Sequence, residues 1–447
     1  MRRLGILVLT IVAMTTTVLP ARADTVTRYE GEIDGAKYRV MVPSSWNGTL
    51  VLWSHGAYGV EPPTIALTDQ PATEEYLLSR GYALAASKFR QPVGWSVEDG
   101  PRDQLALLDW FRRTVGPPRR TISAGESAGG ATATVLAERN AHRFSGVLTL
   151  CGAMAGSGAY WNSGLDVMFA VKTLLGADFA LVKAIDPAAN EQAAYDAVDR
   201  AVDPAGAARV ALAAALGDVP AAFDPTVPAP TELADRLYWA RVWVQYFRTA
   251  AVGTARADLE RRAGGNPSGN LLVDYRRVLD RSGAKGLVVE AYRTAGLDLD
   301  ADLDRLAAAP RVTPDLRAVA YLGVPLGFDP WPVVTVHNRY DGVLPLSNET
   351  VYARRALRPD NLRQYAVDRA GHCRFTASEE ITAFESLFHR LDTGTWRADD
   401  PATQNTRAAA HGPERQTIRN PLTGQTVVVG PAFTTVPRTP YPREFPF

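Results

Sequence analysis

Thr121-Ile-Ser-Ala-Gly-Glu-Ser-Ala-Gly-Gly130 reads as the end of a buried strand, a forced turn at Ser127 and the opening of a helix of small residues. Gly125-Glu-Ser127-Ala-Gly129 fits the pattern G-x-S-x-G, a turn that lifts a serine hydroxyl above the carboxyl edge of a sheet. The serine of such a turn sits in strained backbone, and a side chain at either flank would collide with the neighbouring strand or helix. Both flanks are glycine, as that crowding requires. Arg119–Ile122 leads in from a Pro-rich turn, and Ala128–Arg139 is a run of small residues able to pack close to a sheet.

Upstream, the chain alternates strand-like and helix-like segments. Thr25–Glu30 and Tyr38–Val42 form an opening antiparallel pair around a turn at Asp34-Gly35, and Leu50–Ser54 is a buried strand ending in His55-Gly56. A helix over Ala72–Arg80, a strand over Ala83–Ser87 and an amphipathic helix over Arg102–Val115 follow. Leu105, Leu108, Phe111 and Val115 give that helix its three- and four-residue apolar spacing. Downstream comes one more buried strand, Gly146–Leu150. This rhythm predicts an α/β fold, a doubly wound and mostly parallel sheet covered on both faces.

After Gly152 the rhythm stops. Residues 156–324 are Ala-rich and helical, broken at Pro225–Pro230 and Gly264–Pro267, with one apolar stripe over Leu233, Leu237, Ala240, Val244 and Phe247. Strands return at Pro332–Val336 and Leu362–Val367, with a helix at Ser378–Leu391. The expected organisation is therefore a core over 24–155 and 325–395, interrupted before its penultimate strand by an all-helical cap. Residues 396–447, rich in Thr and Pro, are expected to lie as an extended tail over the surface.

Residues 1–23 read as an export signal: Arg2 and Arg3, an apolar run from Leu4 to Leu19, and Ala21-Arg-Ala23 as a cleavage site. Cleavage would leave a secreted protein, extracellular or periplasmic, with no stable membrane anchor. The 48 basic and 48 acidic residues balance, and loss of three leader arginines leaves a slight acidic excess. Such a chain lacks the basic face a nucleic-acid partner would need. Two cysteines, Cys151 and Cys373, in an exported protein predict one disulfide, with two free buried thiols as the alternative. The scattered histidines and the lack of a C-x-x-C offer no structural zinc site.

A serine hydroxyl needs an adjacent base, itself oriented by a third group, to become a nucleophile. The base is assigned to His372 in Arg369-Ala-Gly-His-Cys-Arg-Phe375, the loop after the Leu362–Val367 strand. The acid is assigned to Asp341 in His337-Asn-Arg-Tyr-Asp-Gly-Val-Leu-Pro345. Among rivals, His55 precedes the serine, His337 lies at a strand end and reads as a packed residue, and Asp368 is too close to His372. Asp329 precedes its strand. The order Ser127, Asp341, His372 resembles the α/β-hydrolase superfamily, over 24–156 and 325–390. The resemblance implies backbone donors for an oxyanion at Ala57 and Ala128. Tannases and feruloyl esterases are similar in holding a cysteine beside the catalytic histidine, but their partner cysteine adjoins the nucleophile, where this chain has Glu126. In a doubly wound sheet Cys151 and Cys373 both fall at the carboxyl edge, where a bridge would clamp the base loop and add about 4–5 kcal/mol.

Aromatic residues gather where cap should meet core: Tyr160-Trp161, Tyr238-Trp239, Trp243 and Tyr246-Phe247, with Tyr58 and Trp95 from core loops. Tyr58, Trp95, Tyr160 and Trp161 are candidates to line an apolar substrate pocket, the rest packing helices. The sequence thus points to a serine hydrolase of carboxylic esters acting through an acyl-enzyme, without metal or organic cofactor, on a small ester or short acyl or peptide substrate. Amide or peptide cleavage and acyl transfer by the same machinery stay open, as does a non-catalytic binding scaffold; the oligomeric state is not legible.

Overall fold

The computed structural model describes residues 25–443; the expected export signal lies outside them. The core opens with β1 (Val26–Ile33), β2 (Ala36–Pro43), β3 (Thr49–Ser54), α1 (Pro71–Ser79) and β4 (Ala83–Ser87). It continues through α2 (Gly100–Thr114), β5 (Arg120–Glu126), α3 (Ala128–Arg139) and β6 (Gly146–Leu150). Asp34 and Gly35 both take positive φ, 49° and 85°, the turn whose twist matches the two strands it joins.

Between β6 and the next strand the chain is helical: α4 (Ser157–Leu175), α5 (Pro187–Arg200), α6 (Pro204–Leu216), α7 (Leu233–Trp243), α8 (Thr254–Ala263) and α9 (Tyr275–Arg281). Then come α10 (Lys285–Ala295), α11 (Leu299–Ala308) and α12 (Leu316–Val319). These helices share a core of their own, where Met168, Phe169, Leu212, Trp243, Leu279, Tyr292 and Leu306 meet. After β7 (Val333–Tyr340), α13 (Ser347–Arg355), β8 (Leu362–Ala370) and α14 (Ala377–Thr393) complete the parallel part.

The main sheet has the order β1-β2-β4-β3-β5-β6-β7-β8, with a ninth strand beyond β8. β1, β2 and β4 pair antiparallel in turn, while every pair from β4 to β8 is parallel. Alternate residues of one strand feed two different cores. Val51 and Trp53 face Leu77, Phe384 and Leu387, whereas Leu50 and Leu52 face Leu107, Phe111 and Leu136. Because helices cover both faces, β3 reads as an unbroken apolar run rather than an alternating one.

Three expectations need correction. The expected tail, as far as residue 443, is not simply extended: it folds into α15 (Pro401–Ala409), a hairpin of β9 (Thr417–Arg419) and β10 (Thr426–Val428), and β11 (Phe433–Thr434). Asp400 caps α15 by accepting from Thr403 N at 2.9 Å, with Pro401 at the first helical position. β8 is not the sheet's last strand either. Phe433 and Thr434 pair antiparallel with Val367 and Ala366, covering an edge that would otherwise present unpaired backbone. Finally, Tyr238 and Tyr246 do not face the core; both are exposed, Tyr246 with its ring against Tyr195. Trp243 and Phe247 instead pack with Phe223.

Candidate active site

The turn after β5 is shaped by crowding. A Cβ on Gly125 would fall inside contact distance of Gly129 O and Ser54 O, and one on Gly129 would strike the carbonyls of Ser54 and His55. Ser127 between them is forced to φ 53°, ψ −127°, a region non-glycine residues rarely occupy and which persists only where the surroundings over-determine it. Its hydroxyl is thereby raised above the strand end at the start of α3.

Two further loops converge there. Asp341, fully buried after β7, receives Val343 N and Leu344 N on Oδ1, each at 2.9 Å. Its Oδ2 accepts from His372 Nδ1 at 2.7 Å, and His372 Nε2 lies 2.8 Å from Ser127 Oγ. Serine, imidazole and carboxylate therefore form one continuous hydrogen-bonded chain. Beneath it, His337 donates from Nδ1 to Glu349 at 3.1 Å and from Nε2 to Leu344 O at 2.7 Å. Burial disfavours its charged form, but Glu349 and Asp341 outweigh this and hold the imidazole above its ordinary range.

The His372 loop is fastened at both ends. Asn338 Oδ1 accepts from Arg374 N at 2.8 Å, and Arg369 ties to Glu379, whose side chain also closes a capping box with Thr376 at the start of α14. Cys373 is bonded to Cys151, with 5.4 Å between Cα atoms and a sequence separation of 222. Cys151 and Cys373 adopt φ 45° and 52°, so the bridge joins two strained positions beside a third at Ser127. Closing so long a loop reduces the freedom of the unfolded chain. We expect reduction with dithiothreitol, or Cys151→Ala with Cys373→Ala, to lower unfolding free energy by about 4–5 kcal/mol in urea titrations. Cys151, His372 and Cys373 are also the one close grouping of metal-ligand types among the described residues, but two sulfurs bonded to each other are not thiolate donors.

Ala128 N opens α3 immediately after the serine, and Ala57 lies in the turn after β3. Between that turn and the serine, a Cβ on Gly56 would come within 3.0 Å of Ser127 Cβ. The aromatic candidates separate into two groups. Trp95 stacks on Tyr160 at 4.6 Å, with Trp161 edge-on to both, in a cluster that also holds Ala128 and Leu344. Tyr58 stays apart, stacked on His55 at 4.7 Å. Trp95 and Trp161 are buried, whereas Tyr58 and Tyr160 keep open surface.

Some side chains around the site were not singled out by sequence. Buried Glu380 shares an acidic corner with half-buried Glu126 and Asp69; Glu380 accepts from Thr73 Oγ1 at 2.6 Å and from the amides of Asp69 and Gln70. Burial first, then the neighbouring charges, hold both glutamate carboxyls well above the usual range. Glu98 joins the two ends of the helical insertion: its Oε1 accepts from Ser157 Oγ at 2.6 Å and Gly323 N at 2.8 Å. Burial, opposed by those bonds, pushes its carboxyl from 4.5 up to about 7.

A raised folded-state value means the folded chain holds this proton more tightly. The contribution is therefore full below about 4.5 and lost as pH rises to about 7. The unfolding free energy of wild type minus that of Glu98→Gln should fall across that window and level off above it; a flat difference in denaturant titrations would contradict this.

No protein-family model matches the chain. An o-phthalyl amidase of Xanthobacter agilis is 29% identical over 423 residues, 84% of this chain and 90% of the amidase. Among solved structures, an acylaminoacyl peptidase of Pyrococcus horikoshii aligns at TM-score 0.41 and 11% identity over 86% of this chain; the chain spans only 44% of that protein. An esterase of Aspergillus oryzae aligns at TM-score 0.42 and 11% identity, over 83% of this chain and 81% of its own. Among the described residues no helix is long and apolar enough to cross a membrane. The strand order, the parallel run from β4 to β8 and the glycine-flanked turn at Ser127 are those of an α/β-hydrolase fold.

Proposed function

We propose that the chain is an exported serine hydrolase that cleaves carboxylic esters through an acyl-enzyme. The observation that carries this reading is the hydrogen-bonded run Ser127–His372–Asp341 at the carboxyl edge of the sheet. His372 Nε2 takes the Ser127 proton as Oγ attacks the substrate carbonyl, and Asp341 holds the imidazole with Nδ1–H toward itself. The amides of Ala57 and Ala128 receive the negative oxygen of the tetrahedral intermediate. Collapse expels the alcohol, protonated by His372; water, activated by the same imidazole, then frees the acid and restores Ser127. The helical insertion from α4 to α12 acts as a cap, presenting Tyr160 and Trp161 beside the serine.

Amide cleavage is the second reading, favoured by the likeness to an o-phthalyl amidase over most of both chains. One experiment addresses both. The folded protein is treated with a fluorophosphonate probe, then assayed on 4-nitrophenyl esters beside matched 4-nitroanilides. Labelling at Ser127 with ester turnover supports the first reading, and preferential anilide turnover the second. A folded wild type that neither labels nor turns over any substrate would leave only a binding scaffold.

A further inference from the structure

We propose that Arg248 is the binding residue for a carboxylate on the acyl part of the substrate, so that the preferred substrates are monoesters or monoamides of dicarboxylic acids. The inference rests on the acyl-hydrolase reading above and adds the chemical class of the acyl group. Arg248 closes a π-helical turn, Val244–Arg248, that follows α7. Such turns insert an extra residue and re-aim side chains, often where a ligand is held. The segment is pinned on both sides. Trp243 packs so closely on Gly342 of the Asp341 loop that a Cβ there would overlap its ring, and a Cβ on Gly164 of α4 would meet Ala251 at 2.6 Å. Arg248 lies in sequence between these two anchoring residues, Trp243 and Ala251.

The guanidinium is only 2% exposed, yet its Nε and Nη2 have no hydrogen-bond partner among the described residues. These two nitrogens form one edge of the guanidinium, the edge whose parallel N–H groups match the two oxygens of a carboxylate. Among the described residues no carboxylate takes that place. Asp218, whose charge Arg248 does feel, spends Oδ2 on Ser347 Oγ at 2.8 Å and Oδ1 on Gly283 N at 3.1 Å. A buried charge left without a hydrogen-bonded counter-ion lowers stability, which a bound anion would reverse. Tyr160 connects it to the reacting centre: the charges of Arg248 and Asp341 both reach that hydroxyl, and its ring stacks on Trp95 in the cluster that contains Ala128. An acyl group with its carbonyl at Ser127 and its body along Tyr160 would carry its second carboxylate toward Arg248.

The test compares 4-nitrophenyl hydrogen adipate and hydrogen isophthalate with the same esters capped as methyl esters. Wild type should favour the free acids at least tenfold in kcat/KM. Arg248→Gln should collapse that anionic-to-neutral ratio about 100-fold, and Arg248→Lys, which keeps charge without the fork, should fall between. Calorimetric binding of isophthalate reads the same site without turnover, and Arg248→Gln should weaken it at least 30-fold. A wild-type ratio near one, equal loss on both members of each pair, or isophthalate binding untouched by the variants would overturn the proposal. Should Arg248→Gln not fold, wild type and Arg248→Lys give the same comparison. Absence of turnover on every ester, with isophthalate binding still dependent on Arg248, would defeat the hydrolase reading and spare the anion site.

Discussion

Ser127→Ala is expected to lower kcat by about 10⁶-fold on any ester the wild type turns over, with no burst of released alcohol and no fluorophosphonate adduct. The size of the loss follows from the geometry. In the proposed mechanism His372 and Asp341 are useful only through the oxygen they activate, so removing Oγ silences all three groups together. What persists is the contribution of backbone donors and of substrate positioning, which commonly leaves 10³–10⁴-fold over water. The substitution takes away a single oxygen atom from a half-buried position, so the melting temperature should change little. The φ of 53° is imposed by Gly125, Gly129 and the Ser54 carbonyl, and alanine inherits that strain unchanged. Persisting labelling or a retained burst in Ser127→Ala would show that the nucleophile lies elsewhere.

The parts of the molecule legible from sequence are those where one physical demand dominates. β3 and β6 are covered on both faces, so their apolar runs are unbroken, and Gly125 and Gly129 face backbone atoms that exclude any side chain. The grouping of Ser127, Asp341 and His372 followed from the order of loops at one sheet edge. The rest depended on partners distant in the chain. β11 is two residues long and carries no periodicity; its pairing with β8 becomes visible only once that edge is in place. The capping signal of Asp400-Pro401 was present in the Thr/Pro-rich segment and was overlooked beneath its composition. Arg248 and Glu98 carry no local signature at all. Each gains its meaning from what surrounds it, an unmatched guanidinium edge in one case and both ends of the helical insertion in the other.

Asp341→Asn should cost about 10⁴-fold in kcat while leaving substrate affinity and stability close to wild type. Asparagine keeps the shape of the side chain and one carbonyl oxygen. That oxygen remains where Oδ1 now accepts from Val343 N and Leu344 N, because turning it away would leave two buried amides unpaired. The amide nitrogen must then occupy the Oδ2 position, 2.7 Å from His372 Nδ1. It can only donate there, so Nδ1 becomes the acceptor and the ring proton moves to Nε2. An imidazole with Nε2–H pointing at Ser127 Oγ cannot take the serine proton, and the base is lost without any change in its position. His337 makes the substitution more demanding still. Its Nε2 lies 3.7 Å from Asp341 Oδ2, so removing the carboxylate charge takes away part of what raises the pKa of that imidazole. The variant should therefore show a second signature, a lower His337 pKa by NMR titration, which no mere loosening of the loop would produce. A His337 resonance unmoved in Asp341→Asn, together with kcat within tenfold of wild type, would exclude Asp341 as the group that sets the His372 tautomer.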